Sequence, residues 1–373
     1  MAHHRQRRSA LADQLAHAGY LDDLRWFDAF RAVPREAFVT TFAVPHRDGR
    51  LHRHDLTNPA DADAALTAVY TDNSLLTQFD TGGTATSSST APSLMALMLH
   101  QLDVREGMTV LEVGTGTGYN AALLAHVLGD DAVTSIDFHP GLVTTARHAL
   151  EASGYRPHVD VADGRDGYPA RAPFDRLIAT CGLDRVPPAW LRQVRPGGRI
   201  LVNLSFALLL LTVADDGTAT GRFGETAAFM AIRDDPADVA TTATDVLATV
   251  TGHSEHPPRR APWYDQLTTE PVAFLRALAM PALHAGRHPA HPRRARAAAG
   301  RTRHRLLGPG PPHPGRRRAG RARPRRLYDD LAALAVQWDQ HGRPAPERYG
   351  LSVTTRGQHV LWLDDPSTLV TVL

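Results

Sequence analysis

Val110-Leu-Glu-Val-Gly-Thr-Gly-Thr-Gly-Tyr-Asn120 runs an apolar strand into a glycine turn and on into a helix. Gly114, Gly116 and Gly118 lack a Cβ, which lets a backbone turn tightly and approach a ligand closely. The spacing is G-x-G-x-G, with Glu112 two residues before the first glycine and Thr115 inside the turn. A dinucleotide fingerprint needs G-x-G-x-x-G, and its last position here is Tyr119. No Gly-Lys-Ser/Thr of a phosphate-binding loop is present. An acid-flanked G-x-G-x-G suits a ligand with an amino group and a sulfonium, which is S-adenosylmethionine. On this reading Glu112, Gly114, Thr115, Gly116 and Gly118 form its binding turn.

The segments beyond the turn alternate between strand and helix. Strands are expected at 109–113, 132–136, 159–162, 176–179 and 199–204, and helices at 119–128, 141–153 and 188–194, with a turn at Pro196-Gly-Gly198. Such alternation implies a parallel sheet with helices on both faces, an α/β fold of the Rossmann-like, doubly wound kind. Asp137 ends the second strand about twenty residues after the turn, where a carboxylate can hold both hydroxyls of a ribose. Asp163-Gly164 ends the third strand, where it can meet the adenine edge. Three ordinary loop ends of a doubly wound fold would be the plainer explanation. Their alignment at one sheet edge favours the cofactor.

The flanking regions are less regular. Residues 9–38 read as two short helices, the second ended by Val33-Pro34, because proline disfavours helix at the residue before it. Residues 44–66 are polar and read as a surface loop. Pro92 opens a helix running to about Leu102. Residues 208–213 and 227–232, around Asp215-Asp-Gly217, read as an antiparallel pair at the sheet edge. Helices are expected at 272–280 and 328–341, and a final strand pair at 351–355 and 359–363 before a short apolar tail. Three regions follow: a helical and substrate-cleft region (1–100), a cofactor-binding domain (101–235) and a C-terminal α+β accessory region (236–373).

Composition narrows the function classes. The 373 residues, 43% apolar, suffice for a substantial core. A single cysteine excludes a disulfide framework and a cysteine-rich metal site. The longest apolar run, 200–213, is short for a bilayer span and contains Asn203 and Ser205. The basic start (Arg5, Arg7, Arg8) leads into Leu11-Ala-Asp-Gln14 and not into an apolar signal core. A soluble cytoplasmic protein is expected, without a membrane partner. Fourteen arginines and no acid lie in 281–326, so the formal charge of +2 becomes −12 when that segment is set aside. Three readings of the tract stand: compensating frameshifts or a similar gene-model error, a solvated basic linker, and a nucleic-acid arm. The first is favoured, because flanking patterns stop and resume abruptly. The tract has no aromatics to stack on bases, which speaks against nucleic acid as a partner.

The chain resembles the protein-L-isoaspartate O-methyltransferases. The matching pieces are Val33-Pro-Arg-Glu-Ala-Phe-Val39, Tyr70-Thr-Asp72, Ser89-Thr-Ala-Pro92, the glycine turn, Asp163-Gly-Arg-Asp-Gly-Tyr-Pro169, Ala172-Pro-Phe-Asp-Arg-Leu-Ile178 and Val194-Arg-Pro-Gly-Gly198. They cover roughly residues 10–235. The resemblance implies a class I methyltransferase sheet and S-adenosylmethionine-dependent methylation of isoaspartyl or aspartyl carboxylates in proteins or peptides, the ester closing to a succinimide. It also implies that Thr90 stands where the family places a serine beside the methyl acceptor. Leu76–Ser89 replaces the family's usual Ile-Gly…Gly-Gln stretch, and the C-terminal third is extra. Both features, with Arg348-Tyr-Gly-Leu-Ser-Val353 and Gln358-His-Val-Leu-Trp-Leu-Asp364, resemble the branch associated with ATP-grasp-modified ribosomal peptides, whose enzymes form an aspartimide.

Thr90, Ser89 and Ser88 are thus the candidate catalytic donors, against the plain reading of a Ser/Thr cap before Pro92. Cys181 reads as a small packed residue and not a nucleophile. Asp175 reads as ordering the turn before its strand. His284, His288 and His291 have ligand-like spacing but no carboxylate or cysteine beside them, so no metal is expected. A cofactor-binding interaction module without turnover, and a nucleic-acid methyltransferase, remain as alternatives from other classes. The latter lacks an N/D-P-P-aromatic motif after the fourth strand, where Thr180-Cys-Gly-Leu-Asp184 stands.

Overall fold

The computed structural model of the protein describes residues 2–46, 50–233, 278, 334 and 336–373. The chain divides into one unit of Met1–Val239 with Pro346–Leu373, and a second of Ala240–Ala345. In the second unit Leu278 and Leu334 are helical, as are 336–340. Residues 272–277, 279–280, 328–333 and 335, the 281–326 tract, and His284, His288 and His291 lie outside the described residues, and His341 is in a turn.

The first unit opens with α1 (Ala2–His17) and α2 (Leu24–Ala32). Asp23 caps α2 by accepting from the Arg25 amide, and Val33 ends it before Pro34. α1 starts at residue 2 and not at 9. Its polar first turns are held by the Arg7–Asp63 ion pair at 2.9 Å, while Leu11, Ala12 and Leu15 enter the core.

Residues 44–66, read from sequence as a surface loop, instead contain the end of β1 (Thr41–Pro45), β2 (Leu51–Asp55) and most of α3 (Ala62–Val69). The polarity that suggested a loop belongs to an edge strand, with Leu51, His52 and Arg53 exposed. Only Ala65, Leu66 and Val69 of α3 are buried, too short an apolar stripe to show as a period. β3 (Leu75–Phe79) and β4 (Ala85–Ser89) follow, giving a four-stranded sheet in the order β2-β1-β3-β4. α4 (Pro92–Leu102) starts on its proline, where the missing N–H costs no helical bond.

The larger sheet begins with β5 (Val110–Val113), α5 (Tyr119–Leu128), β6 (Val133–Asp137), α6 (Pro140–Ala152) and β7 (His158–Val161). It continues with β8 (Phe174–Leu183), α7 (Pro188–Gln193) and β9 (Val194–Leu204). These five strands are parallel, in the order β7-β6-β5-β8-β9. β5 and β6 are buried at every position, as expected of a sheet covered on both faces. The expected turn at 196–198 lies within β9 as an irregular entry, with Gly197 at φ +74.

β10 (Ala207–Val213) pairs antiparallel with β9 and with β11 (Ala219–Thr226). The partner of β10 is therefore 219–226 and not 227–232. A two-strand ribbon pairs the residues that directly follow its Asp215-Asp-Gly217 turn, and Ala219 and Phe223 bury alternate positions. β12 (Tyr349–Val353) and β13 (His359–Leu363) form the expected pair. The expected apolar tail is a further strand, β14 (Asp365–Val372). β12 pairs with β11, β13 with β12 and β14 with β13, so one ten-stranded sheet runs from β7 to β14, and 349–372 belongs to it.

Buried His359 ties β13 to the loop before α7: its Nε2 accepts from the Val186 amide at 2.9 Å, and its Nδ1 donates to the Gly357 carbonyl at 3.0 Å. The Nε2 contact needs the neutral ring, and burial holds the imidazole below the usual histidine value against the opposing pull of the Gly357 carbonyl. The unfolded chain then takes up a proton that the folded chain resists. This stability is complete above the ordinary value of about 6.5 and is lost as pH falls below it. Urea denaturation at pH 7.5 and pH 5 should show a larger loss for the wild type than for His359→Gln, which cannot take up that proton. Parallel losses in the two proteins would remove His359 from the acid response.

Candidate functional site

The carboxyl ends of β5, β6, β7 and β8 open into one cleft of about 930 Å³, counting its mouth. It lies where a doubly wound sheet exposes its strand ends, the usual ligand position of such folds. The cleft's floor is the glycine turn, one wall begins at Asp137, and the strand β4 with Thr90 forms another. The predicted residues Ser88, Ser89, Thr90, Glu112, Gly114, Thr115, Gly116, Asp137 and Gly164 all line it, so the structure brings together residues 76 positions apart in sequence.

The turn is fixed from below by a buried polar chain. Glu112 is fully buried, with Oε1 accepting from Asn120 Nδ2 at 2.7 Å and Oε2 from Ser135 Oγ at 2.6 Å. Thr115 Oγ1 lies 2.7 Å from the same Ser135 hydroxyl. These bonds join β5, β6, the turn and the start of α5. Burial pushes the Glu112 carboxyl up to about 7, against the pull of its two donors. The sequence places Glu112 among the ligand contacts; both of its oxygens already hold the scaffold.

Asp137 is anchored at the same turn. Oδ2 accepts from the Gly116 amide at 3.0 Å and Oδ1 from the His139 amide at 3.1 Å. Burial raises its carboxyl, and the two amides oppose that rise. Each oxygen keeps lone pairs for two hydroxyl donors from the cleft. Gly114, Gly116 and Gly118 have φ of +102, +51 and +87, a region that favours glycine. Thr180 Oγ1 donates to the Gly114 carbonyl at 2.7 Å and would stand 2.8 Å from a Cβ at Gly114, which seals that side of the turn.

Asp163 is placed differently from expectation. It is half-exposed, caps a short 3₁₀ turn by accepting from the Arg165 amide at 2.9 Å, and is not among the residues lining the cleft, whereas Gly164 is. Gly118 also lies behind the lining, packed where a Cβ would meet that of Ala146 at 3.1 Å. Cys181 lines the cleft, but burial pushes its thiol up to about 12, so it stays neutral and a poor nucleophile. Asp175 fastens the segment before β5, accepting from the Thr109 amide at 2.8 Å.

The capping explanation of Thr90 fails. The N-cap of α4 is Ala91, its amide satisfied by Ser74 Oγ at 3.2 Å, and the Ser93 amide by Asp72 Oδ1 at 2.9 Å. Among the described residues the Thr90 hydroxyl has no hydrogen-bond partner. Ser89 also lines the cleft but is 3% exposed, and its hydroxyl sits 3.3 Å from Arg35 Nε. Ser88 stands beside the turn, with its carbonyl 3.6 Å from where a Gly116 Cβ would be.

Sequence reasoning missed the lid of the cleft. Residues 229–233 cross the end of β8, with the Gly182 amide donating to Met230 O at 2.7 Å and the Ile232 amide to Gly182 O at 2.8 Å. Arg233 lies over the Phe138 ring at 5.0 Å. The apolar run 227–232 carried a signal, but it reads equally as strand. Asn120, Ser135 and Thr180 gave no signal, since single polar residues within helices and strands are common.

This sheet and cleft define a class I methyltransferase fold. The family described as Protein-L-isoaspartate(D-aspartate) O-methyltransferase (PCMT) matches residues 61–232. The protein-L-isoaspartate O-methyltransferase 2 of Archaeoglobus fulgidus is 32% identical over 212 residues, 56% of this chain and 84% of that protein. The protein-L-isoaspartate O-methyltransferase of Thermococcus onnurineus is 42% identical over 114 residues, 30% of this chain and 51% of that protein, so the chain spans about half the length of such relatives. A solved protein-L-isoaspartate O-methyltransferase covers 96% of this chain and 100% of its own, at a TM-score of 0.57 and 22% identity, a likeness of fold. The chain belongs to the protein-L-isoaspartate O-methyltransferase family. Among the described residues no cluster of His, Cys, Asp and Glu could hold a metal ion, and no helix is long and apolar enough to cross a membrane.

The tightness of the turn is testable. Gly118 and Gly154 share φ +87, but only a Cβ at Gly118 meets a neighbour. Gly118→Ala should cost about 1–3 kcal/mol and more than Gly154→Ala, which carries the backbone term alone. Equal losses in urea denaturation would show that α5 and α6 yield at this contact.

Proposed function

We propose that the protein is an S-adenosylmethionine-dependent carboxyl O-methyltransferase acting on isoaspartyl or aspartyl residues of proteins or peptides. One observation carries this reading: a single cleft sets Asp137 and the glycine turn opposite Thr90, whose hydroxyl is unengaged among the described residues. The donor set fits the cofactor. Asp137 has lone pairs for a ribose diol, and the positive-φ turn leaves room for close backbone approach. Asn120, which lines the cleft, has a buried Oδ1 without a partner, an acceptor that an ammonium group satisfies.

When bound, S-adenosylmethionine supplies a methyl group on a positively charged sulfur. The chain's residues have little acid–base work to do, because a carboxylate with a pKa near ~4 is already ionised at neutral pH. The new C–O bond forms as the S–C bond breaks, and no proton moves. Thr90, with Ser88 beside it, donates hydrogen bonds that hold the acceptor without neutralising it. Phe138, Phe229 and Ile232 line the cleft and help exclude water, which strengthens those bonds. The methyl ester makes the carboxyl carbon susceptible to the neighbouring backbone nitrogen, and loss of methanol closes the succinimide.

The finer reading, aspartimide formation in an ATP-grasp-modified peptide, is supported by the β3–β4 hairpin that replaces the family's usual stretch and by the sequence of β12 and β13. A cytoplasmic location belongs to the proposal, since that is where the cofactor is made. The deciding assay offers labelled cofactor with an isoaspartyl peptide, its aspartyl isomer and a cyclised aspartyl peptide. Base-labile label in the first supports protein repair, and label confined to the last supports maturation. Cofactor binding without label in any would leave a binding module.

Two variants separate cofactor from acceptor. Asp137→Ala should weaken S-adenosylhomocysteine binding by about 1.5–3 kcal/mol, as for lost charged hydrogen bonds. Calorimetry with unchanged affinity in the folded variant would displace the ribose from Asp137. Thr90→Val should slow transfer by about 10²-fold while cofactor affinity stays within twofold. Wild-type rates in Thr90→Val would reduce Thr90 to a packing residue.

A further inference from the structure

Arg35 is fully buried, yet among the described residues no carboxylate bonds to it. Nη1 donates to the carbonyls of Val69 (2.9 Å) and Thr71 (3.4 Å), and Nη2 to those of Asn73 (3.1 Å), Ser89 (3.3 Å) and Thr90 (3.0 Å). Nε reaches Ser89 Oγ at 3.3 Å, and the Tyr119 ring lies 5.9 Å from the guanidinium carbon. Burial lowers the guanidinium to about 10, far above neutral pH, so the residue remains a cation. A buried cation costs free energy unless its donors are filled, and every acceptor here is a neutral oxygen.

The acceptors belong to two segments. One, 69–73, runs from α3 to β3 and ends beside the Ser74 hydroxyl that holds the Ala91 amide. The other is the Ser89-Thr90 step that forms the cleft wall. Arg35 therefore fixes the carbonyl of Thr90, and Ser74 fixes the amide that follows it. The peptide plane after Thr90 is pinned at both ends, which sets where the Thr90 side chain stands. We infer that Arg35 is a positioning residue for methyl transfer, orienting the Thr90 hydroxyl through the backbone of Ser89 and Thr90. The inference rests on the reading of Thr90 as the acceptor's donor. A planar fork that spans two segments is not reproduced by lysine, whose donors radiate from one atom.

The test is a double-mutant cycle of Arg35→Lys with Thr90→Val. Arg35→Lys should bind S-adenosylhomocysteine within about twofold of wild type. It should lower kcat on an isoaspartyl peptide about tenfold or more, with KM changed less, as expected for a misplaced group. Amides of 88–91 should exchange faster, and those of β5 and β6 should not. The double variant should be no slower than Thr90→Val alone within about twofold, because Arg35 acts through that hydroxyl. Losses that multiply in the double variant, or cofactor affinity that falls in step with rate, would overturn the inference. Should Arg35→Lys fail to fold, Arg35→Gln enters the same cycle. Failure of both to fold, while Thr90→Val folds, would assign Arg35 to the core alone and also overturn it. Inactivity of the wild type on every acceptor would be a failure of the methyltransferase reading. Retained exchange protection at 88–91 in Arg35→Lys would be a failure of this one.

Discussion

The hydrogen bond from the Gly116 amide to Asp137 joins two strand ends through one carboxylate, and the cleft is built around it. A parallel register places Val113 of β5 beside Ile136 of β6, so the glycine turn and Asp137 leave the sheet at the same level. The Gly114 amide donates to Ile136 O at 2.8 Å, which starts the turn directly from the sheet. Beneath it the buried Glu112–Ser135–Thr115 chain joins the two strands to the turn. Such a buried network rigidifies its surroundings, and removing one member leaves its partners unpaired. The preorganised floor of the cleft follows from these few contacts.

The acceptor wall is built by other means. β4 is the edge strand of the smaller sheet, and Arg35 ties its last residues to the segment after α3. Hydroxyl side chains on this strand alternate in burial. Ser87 and Ser89 are buried and Thr86, Ser88 and Thr90 less so, and all five line the cleft. The period-two alternation of a strand thus divides Thr86–Thr90, a run of five hydroxyl residues, into more and less buried positions. Floor and wall come from different sheets, so cofactor affinity and acceptor alignment can be altered separately.

Much of this was legible in the sequence. The parallel strands, the glycine turn, Asp137 and the helix opened by Pro92 all follow local rules of period, turn chemistry and capping, and the structure keeps them, with the strands expected at 176–179 and 199–204 extended to 174–183 and 194–204. The misreadings share a cause. β2 is polar because it is an edge strand, and α3 is too short to show a period. Residues 227–232 are apolar because they roof the cleft and not because they pair along a strand. Asp163 has the expected position in the pattern, and one of its oxygens accepts from the local Arg165 amide. Arg35 stood within the quoted Val33–Val39 motif, yet nothing in the spacing shows that its partners are five backbone carbonyls. Contacts made by the backbone of distant segments leave no mark on side-chain patterning.

The most direct test of the account is a crystal structure of the protein with S-adenosylhomocysteine and an isoaspartyl peptide. The account predicts both ribose hydroxyls within about 3 Å of the Asp137 carboxylate and the peptide's free carboxylate within the same distance of Thr90 Oγ1, facing the cofactor sulfur. A ribose held away from Asp137, or an acceptor carboxylate seated elsewhere than against Thr90, would contradict it.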